Sequence, residues 1–87
     1  MGEKIDALFL ELTELAFLAS YFYKAQKLPY VQKAVVKLDL LKFFLQISWE
    51  IKAIDNKKFI LLSEKLNEIG KMIGGWLRQL TKENSAN

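Results

Sequence analysis

The chain reads as all-α, a three-helix antiparallel up-down unit completed by oligomerisation. Three observations predict this. Apolar residues recur three and four apart along three successive segments. The breaks between those segments are short, which favours antiparallel neighbours. Two of the three helices are apolar on both sides, more than one copy can bury.

The first helix spans about 3–24, where Ile5, Leu8, Leu12, Leu15, Ala19 and Phe22 make one stripe. The second spans about 29–54. Pro29 suits its first turn, where a missing N–H costs nothing, and Val31, Ala34, Val35, Leu38, Leu41, Leu45 and Trp49 follow at helical spacing. The third spans about 56–82, with Asp55 or Asn56 as its N-cap. Phe59, Leu62, Leu66, Ile69, Ile73, Trp76 and Leu80 form its seam. Residues 1–82 make one domain, and the polar tail 83–87 is expected to fray.

A second stripe lies opposite the first on two helices. It comprises Leu10, Phe17 and Tyr21 on the first, and Val36, Leu40, Phe43, Ile47, Ile51 and Ile54 on the second. Exposed apolar patches of this kind mark interfaces, so Leu10, Phe17, Tyr21, Val36, Leu40, Phe43, Ile47 and Ile51 are the expected oligomer contacts. The third helix carries Glu64, Lys65, Asn67, Glu68, Lys71, Arg78 and Lys82 outside its seam and reads as solvent-facing. Gly70, Gly74 and Gly75 interrupt it, each costing up to ~1 kcal/mol against Ala. They are explained by a close neighbouring helix or by the Trp76 ring lying over backbone, and otherwise by a kink.

Composition narrows the function. The 87 residues are 52% hydrophobic and 13% aromatic, above the roughly 45–50% apolar content of ordinary soluble domains. There is no cysteine and no histidine, which removes disulfides, thiolate nucleophiles, zinc fingers and imidazole catalysis. The carboxylate pairs Glu11–Glu14 and Glu64–Glu68 fall on polar helix sides and read as solvated faces. The glycine cluster is inside a helical repeat, not after a strand, so it is no phosphate loop. The expectation is a non-enzyme with no cofactor, no metal and no small-molecule substrate. Its apolar runs are too short for a bilayer, the first residues lead into an acidic amphipathic pattern with no secretory leader, and a cytoplasmic location is expected.

The net charge of +3 is unevenly placed: residues 1–23 hold four acids and one lysine, whereas 24–42 hold five lysines and only Asp39. Lys33 and Lys37 lie one turn apart, with Lys52 toward the same side, and Lys71, Arg78 and Lys82 share the outer face of the third helix. These six are the candidate nucleic-acid contacts, because phosphate contacts add through counterion release. Solubility alone is the competing reading of such lysines.

Three runs carry a family resemblance. They are Lys37-Leu38-Asp39-Leu40-Leu41-Lys42-Phe43-Phe44-Leu45, Trp49-Glu50-Ile51-Lys52-Ala53, and Leu62 through Trp76 with its Glu-Ile-Gly-Lys-Met-Ile-Gly-Gly-Trp segment. Together they resemble the Avd family, the accessory variability determinants of diversity-generating retroelements, which share a four-helix-bundle architecture with proteins encoded in ribosomal-RNA intervening sequences. Gly2-Glu3-Lys4-Ile5-Asp6 is similar to the start of that family's second helix, while residues 13–36 match only in apolar pattern. The resemblance implies a homopentamer with a basic surface that binds a reverse transcriptase and template RNA. It also carries over Gly70, Gly74, Gly75 and Trp76 as a helix-packing motif, but assigns no RNA-contacting lysine. Family members have a further helix ahead of the Gly-Glu-Lys segment, where this sequence begins at Met1, so the apolar surface it covers is expected to be open. The alternatives are a truncated or engineered bundle that only self-assembles, and a scaffold related to the intervening-sequence proteins.

Overall fold

The computed structural model describes residues 2–85, with the side chains of 3–23 and 25–81. Three α-helices account for nearly all of it: α1 (Gly2–Tyr21), α2 (Leu28–Glu50) and α3 (Asn56–Ser85), with a short 3-10 turn at Lys24–Gln26. No strand occurs among the described residues. The buried residues follow the expected stripes except at Trp49, which is exposed, and at Ala16 and Ser48, which are buried outside them. Ile5, Leu8, Leu12 and Ala19 of α1 meet Val31, Ala34, Leu38, Leu41 and Leu45 of α2 and Leu66, Ile73 and Leu80 of α3 in one core.

Side-chain pairs give the directions. Lys4 lies over the Phe44 ring, Glu11 pairs with Lys37, and Phe22 stacks on Tyr30, so residue numbers fall on α2 as they rise on α1. Trp49 stacks on Phe59, and Lys27 lies over the Trp76 ring, so α3 is antiparallel to α2 as well. Both outer helices pack along α2, whereas the backbones of α1 and α3 hardly approach each other. The Cα envelope measures 49 × 18 × 15 Å. Its 15 Å thickness rules out a flat row of helices, which would be only about 5 Å thick, so the three enclose a triangular core.

The helix ends differ from the sequence expectation, each for a local reason. α1 stops at Tyr21 instead of near residue 24, and the chain reverses through Phe22, whose ring stacks on Tyr30 at 4.8 Å between centroids. No glycine or proline announces this stop. α2 stops at Glu50 instead of 54. Lys52 takes the left-handed conformation at φ 62°, its N–H donates to the Trp49 carbonyl, and the Ala53 N–H donates to the Ser48 carbonyl at 2.8 Å. This is a Schellman termination with lysine where glycine is usual. Ile54, read above as part of the outer stripe, is instead buried beneath that turn. Asp55 is the N-cap of α3, its Oδ1 accepting the Lys58 N–H at 2.8 Å. Asn56 serves differently, its Oδ1 accepting the Trp49 Nε1–H at 2.6 Å. At the other end α3 runs through Ser85, past the expected limit at 82, because nothing in Thr81–Ser85 is a helix breaker.

A left-handed lysine costs about 1 kcal/mol that glycine does not. Lys52→Gly is therefore expected to raise stability by up to ~1 kcal/mol, read as a higher denaturant midpoint at unchanged slope.

Candidate functional site

The outer surface of α2 is the main departure from an ordinary helix exterior. At 100° per residue, Val36, Leu40, Phe43 and Ile47 fall on one line opposite the buried stripe. Val36 is 65% exposed, Phe43 60%, and Ile51 in the following turn 60%. Leu40 is also exposed, while Ile47 is half-buried. Of the eight expected contacts, Ile47 is the one not freely accessible.

The structure divides these residues between two surfaces. The α2 stripe borders a groove between α1 and α2, lined by Glu11, Glu14, Leu15 and Leu18 of α1 and by Lys33, Lys37 and Val36 of α2, with Val36 on its outer rim. Leu10 and Phe17 lie further around α1, turned away from that groove, and Tyr21 lies between the two. Leu18 belongs to neither apolar stripe of α1, so helical spacing does not mark it. The third helix is also less polar than its sequence suggested: Ile60, Leu61 and Met72 are exposed. Surplus apolar surface is thus not confined to the first two helices.

The six candidate cations do not form one patch. Lys33 and Lys37 flank the α1–α2 groove, and Lys37 is engaged there, its Nζ 2.7 Å from Glu11 Oε2. Lys52 is off the helix in the turn after α2, at the far end from Lys33, not on a shared flank. Lys71 and Arg78 line a second groove between α2 and α3. The side chain of Lys82 is outside the described residues. Spacing does not mark Lys42 of α2, which antiparallel packing brings to the same groove as Lys71 and Arg78, together with Asn67, Gly70 and Gly74. No acid lines it, so three cations flank a shallow, glycine-floored channel.

Close helix approach explains at most one of the three glycines. A methyl group at Gly70 would meet Leu38 Cδ2 at 3.5 Å, an ordinary contact, whereas at Gly74 and Gly75 it would meet nothing within 4 Å. α3 continues as helix through all three. Gly74 and Gly75 therefore do not act as a packing motif within one copy. Trp76 is half-buried against the core, with the Lys27 ammonium 4.8 Å from its ring centroid.

The described residues contain no group of three or more Asp or Glu side chains that could hold a metal ion, and no helix long and apolar enough to cross a membrane. The buried hydroxyl of Ser48 has no hydrogen-bond partner among the described residues and lines neither groove. Fold and surface together define a class: an all-α three-helix chain presenting one apolar and one basic groove. Compared with known protein families, curated proteins and solved structures, the chain matches none.

Two measurements follow. The Glu11 carboxyl is held below the usual carboxylate range, first by its hydrogen bond from Lys37, then by that residue's charge and by Lys4. A lowered folded value means that the pair stabilises the fold above the ordinary carboxylate pKa, and that this is lost as pH falls through the lowered value. Carboxyl NMR titration should find Glu11 depressed, and Lys37→Gln should return it to the ordinary range. Gly74→Ala and Gly75→Ala should each raise stability by roughly 0.5–1 kcal/mol in thermal unfolding.

Proposed function

We propose that this chain is a non-enzymatic, Avd-like accessory protein that self-associates through its apolar α1–α2 face and binds RNA, alongside a reverse transcriptase, through its basic surface. The exposed apolar line Val36–Leu40–Phe43 carries the assembly part of the reading. Monomeric proteins rarely leave a contiguous patch of this kind open, and in a chain this short the area is needed for stability. The four-helix relationship draws support from the layout. α1 and α3 both run along α2 while their own backbones hardly approach each other, which is how three corners of a square bundle are arranged. Leu61 and Met72, on the flank of α3 turned from α2, border the open corner.

The nucleic-acid part rests on the channel of Lys42, Lys71 and Arg78. Three converging cations without an acid among them suit a phosphodiester backbone, and repetition of the channel in an assembly multiplies the effect. The reverse transcriptase and the five-copy stoichiometry come from the resemblance alone. A purely self-assembling bundle is the second reading, favoured by Lys37, whose charge is already satisfied by Glu11.

Fluorescence anisotropy with a structured RNA, run from 50 to 300 mM salt, tests the proposal. Affinity should fall steeply with salt. Replacing Lys42, Lys71 and Arg78 together by Gln should flatten the logarithmic slope by about 2–3 per channel engaged, with mass by light scattering unchanged. No binding at the lowest salt leaves only the self-assembly reading.

A further inference from the structure

The α1–α2 groove carries a charge pattern that one copy does not use. Residue pairs whose numbers sum to about 48 face each other across it, as Lys4 with Phe44 and Glu11 with Lys37 demonstrate. By the same register Glu14 and Lys33 stand at one height on opposite walls, yet they form no ion pair with any described residue. Beside these charges the face is apolar: Leu18 and Val36 border the groove, Val36 on its outer rim, and the apolar line continues along α2 through Leu40 and Phe43. Acid on one helix, base on the other and exposed hydrocarbon on both is the pattern of a surface complementary to itself.

We infer that this face binds a second copy of the same chain about a two-fold axis running parallel to α1 and α2. The inference rests on the self-association proposed above and specifies its geometry. A two-fold axis lying in the contact plane can run along the helices or across them. Along them, α1 of one copy covers α2 of the other at the same height and antiparallel to it. Glu14 then meets the partner's Lys33, and Lys33 meets the partner's Glu14. Across them, α1 covers α1, setting Glu11 and Glu14 against an acidic helix and lysines against lysines. Like charges brought together in an interface are strongly unfavourable, so the charges select the lengthwise axis.

The area suffices. Two helices ~30 Å long and ~10 Å apart present a face of roughly 600 Å² per copy, about 1,200 Å² in all, at the lower bound of specific interfaces. The resulting pair is a layer of four antiparallel helices, with α3 of each copy on the outside. Lys42 points well away from the stripe of Val36 and Phe43, so both basic channels remain open to solvent. This isologous pair differs from a five-copy ring, which would need two distinct patches to meet.

Charge reversal tests the geometry. Glu14 and Lys33 are exposed, so Glu14→Lys and Lys33→Glu are expected to preserve helicity by circular dichroism, which serves as the folding control. Each alone sets like charges together twice per pair and should weaken self-association about tenfold by sedimentation equilibrium. Combining both in one chain should restore it. Mixing the two single variants should give a heterodimer in preference to either homodimer, because both cross-copy pairs are then opposite in sign. Val36→Glu, in the exposed apolar line of α2, should yield monomer at the same helicity. Singles that associate like the wild type, with no preference on mixing, overturn the lengthwise axis but leave self-association intact. A wild-type mass of five copies overturns the two-fold pair, and a monomer at 100 µM overturns both this inference and the assembly it rests on.

Discussion

The packing of two helices onto the single stripe Val31, Ala34, Leu38, Leu41 and Leu45 of α2 is the contact on which everything else in this structure depends. The backbones of α1 and α3 hardly approach each other, so the two are held in register chiefly through the apolar line that α2 offers to both. The two hairpins are closed by aromatic stacks at opposite ends, Phe22 on Tyr30 and Trp49 on Phe59. Those stacks fix the register of each outer helix against the shared one. Both grooves follow from that register, the α1–α2 groove from the first hairpin and the basic channel from the second.

Sharing one helix has a consequence for the surface. A helix that serves as the common wall for two neighbours is expected to be polar on its remaining side, and α2 is not. Val36, Leu40 and Phe43 continue its apolar character around to the exterior. The same chain therefore encloses a complete small core and presents a second apolar face. That second face is the one on which the proposed self-association would act. Opposite charges on the two walls of the groove add orientation to what would otherwise be a non-directional attraction.

Much of the fold was legible in the residues, and the misses are instructive. Three helices and their buried lines followed from the 3-4 spacing of residues such as Leu8, Leu12 and Ala19. The stop of α2 did not, because Lys52 occupies a left-handed position that glycine normally signals. Ile54 was consequently assigned to the wrong surface. Gly74 and Gly75 looked like the mark of a close helix crossing, yet open space lies beside them. Lys42 was not recognisable as a partner of Lys71 and Arg78, since 28 residues separate it from the nearer of them in sequence.

By itself, then, the sequence determined the helical class, the number of helices, the buried lines and the excess of apolar surface, because each is a property of periodicity within a short stretch of chain. It also determined the absence of thiol and imidazole chemistry, which composition decides outright. Tertiary structure alone decided where the helices end, that Glu11 and Lys37 close on each other while Glu14 and Lys33 do not, and which cations share a groove. Those outcomes depend on the register between helices. Register is set by many small packing contacts across the whole molecule, and no local spacing encodes it. The apolar surplus was visible from the residues. Its division into a charged-walled groove and a separate patch at Leu10 and Phe17 was a matter of how the helices turn toward one another.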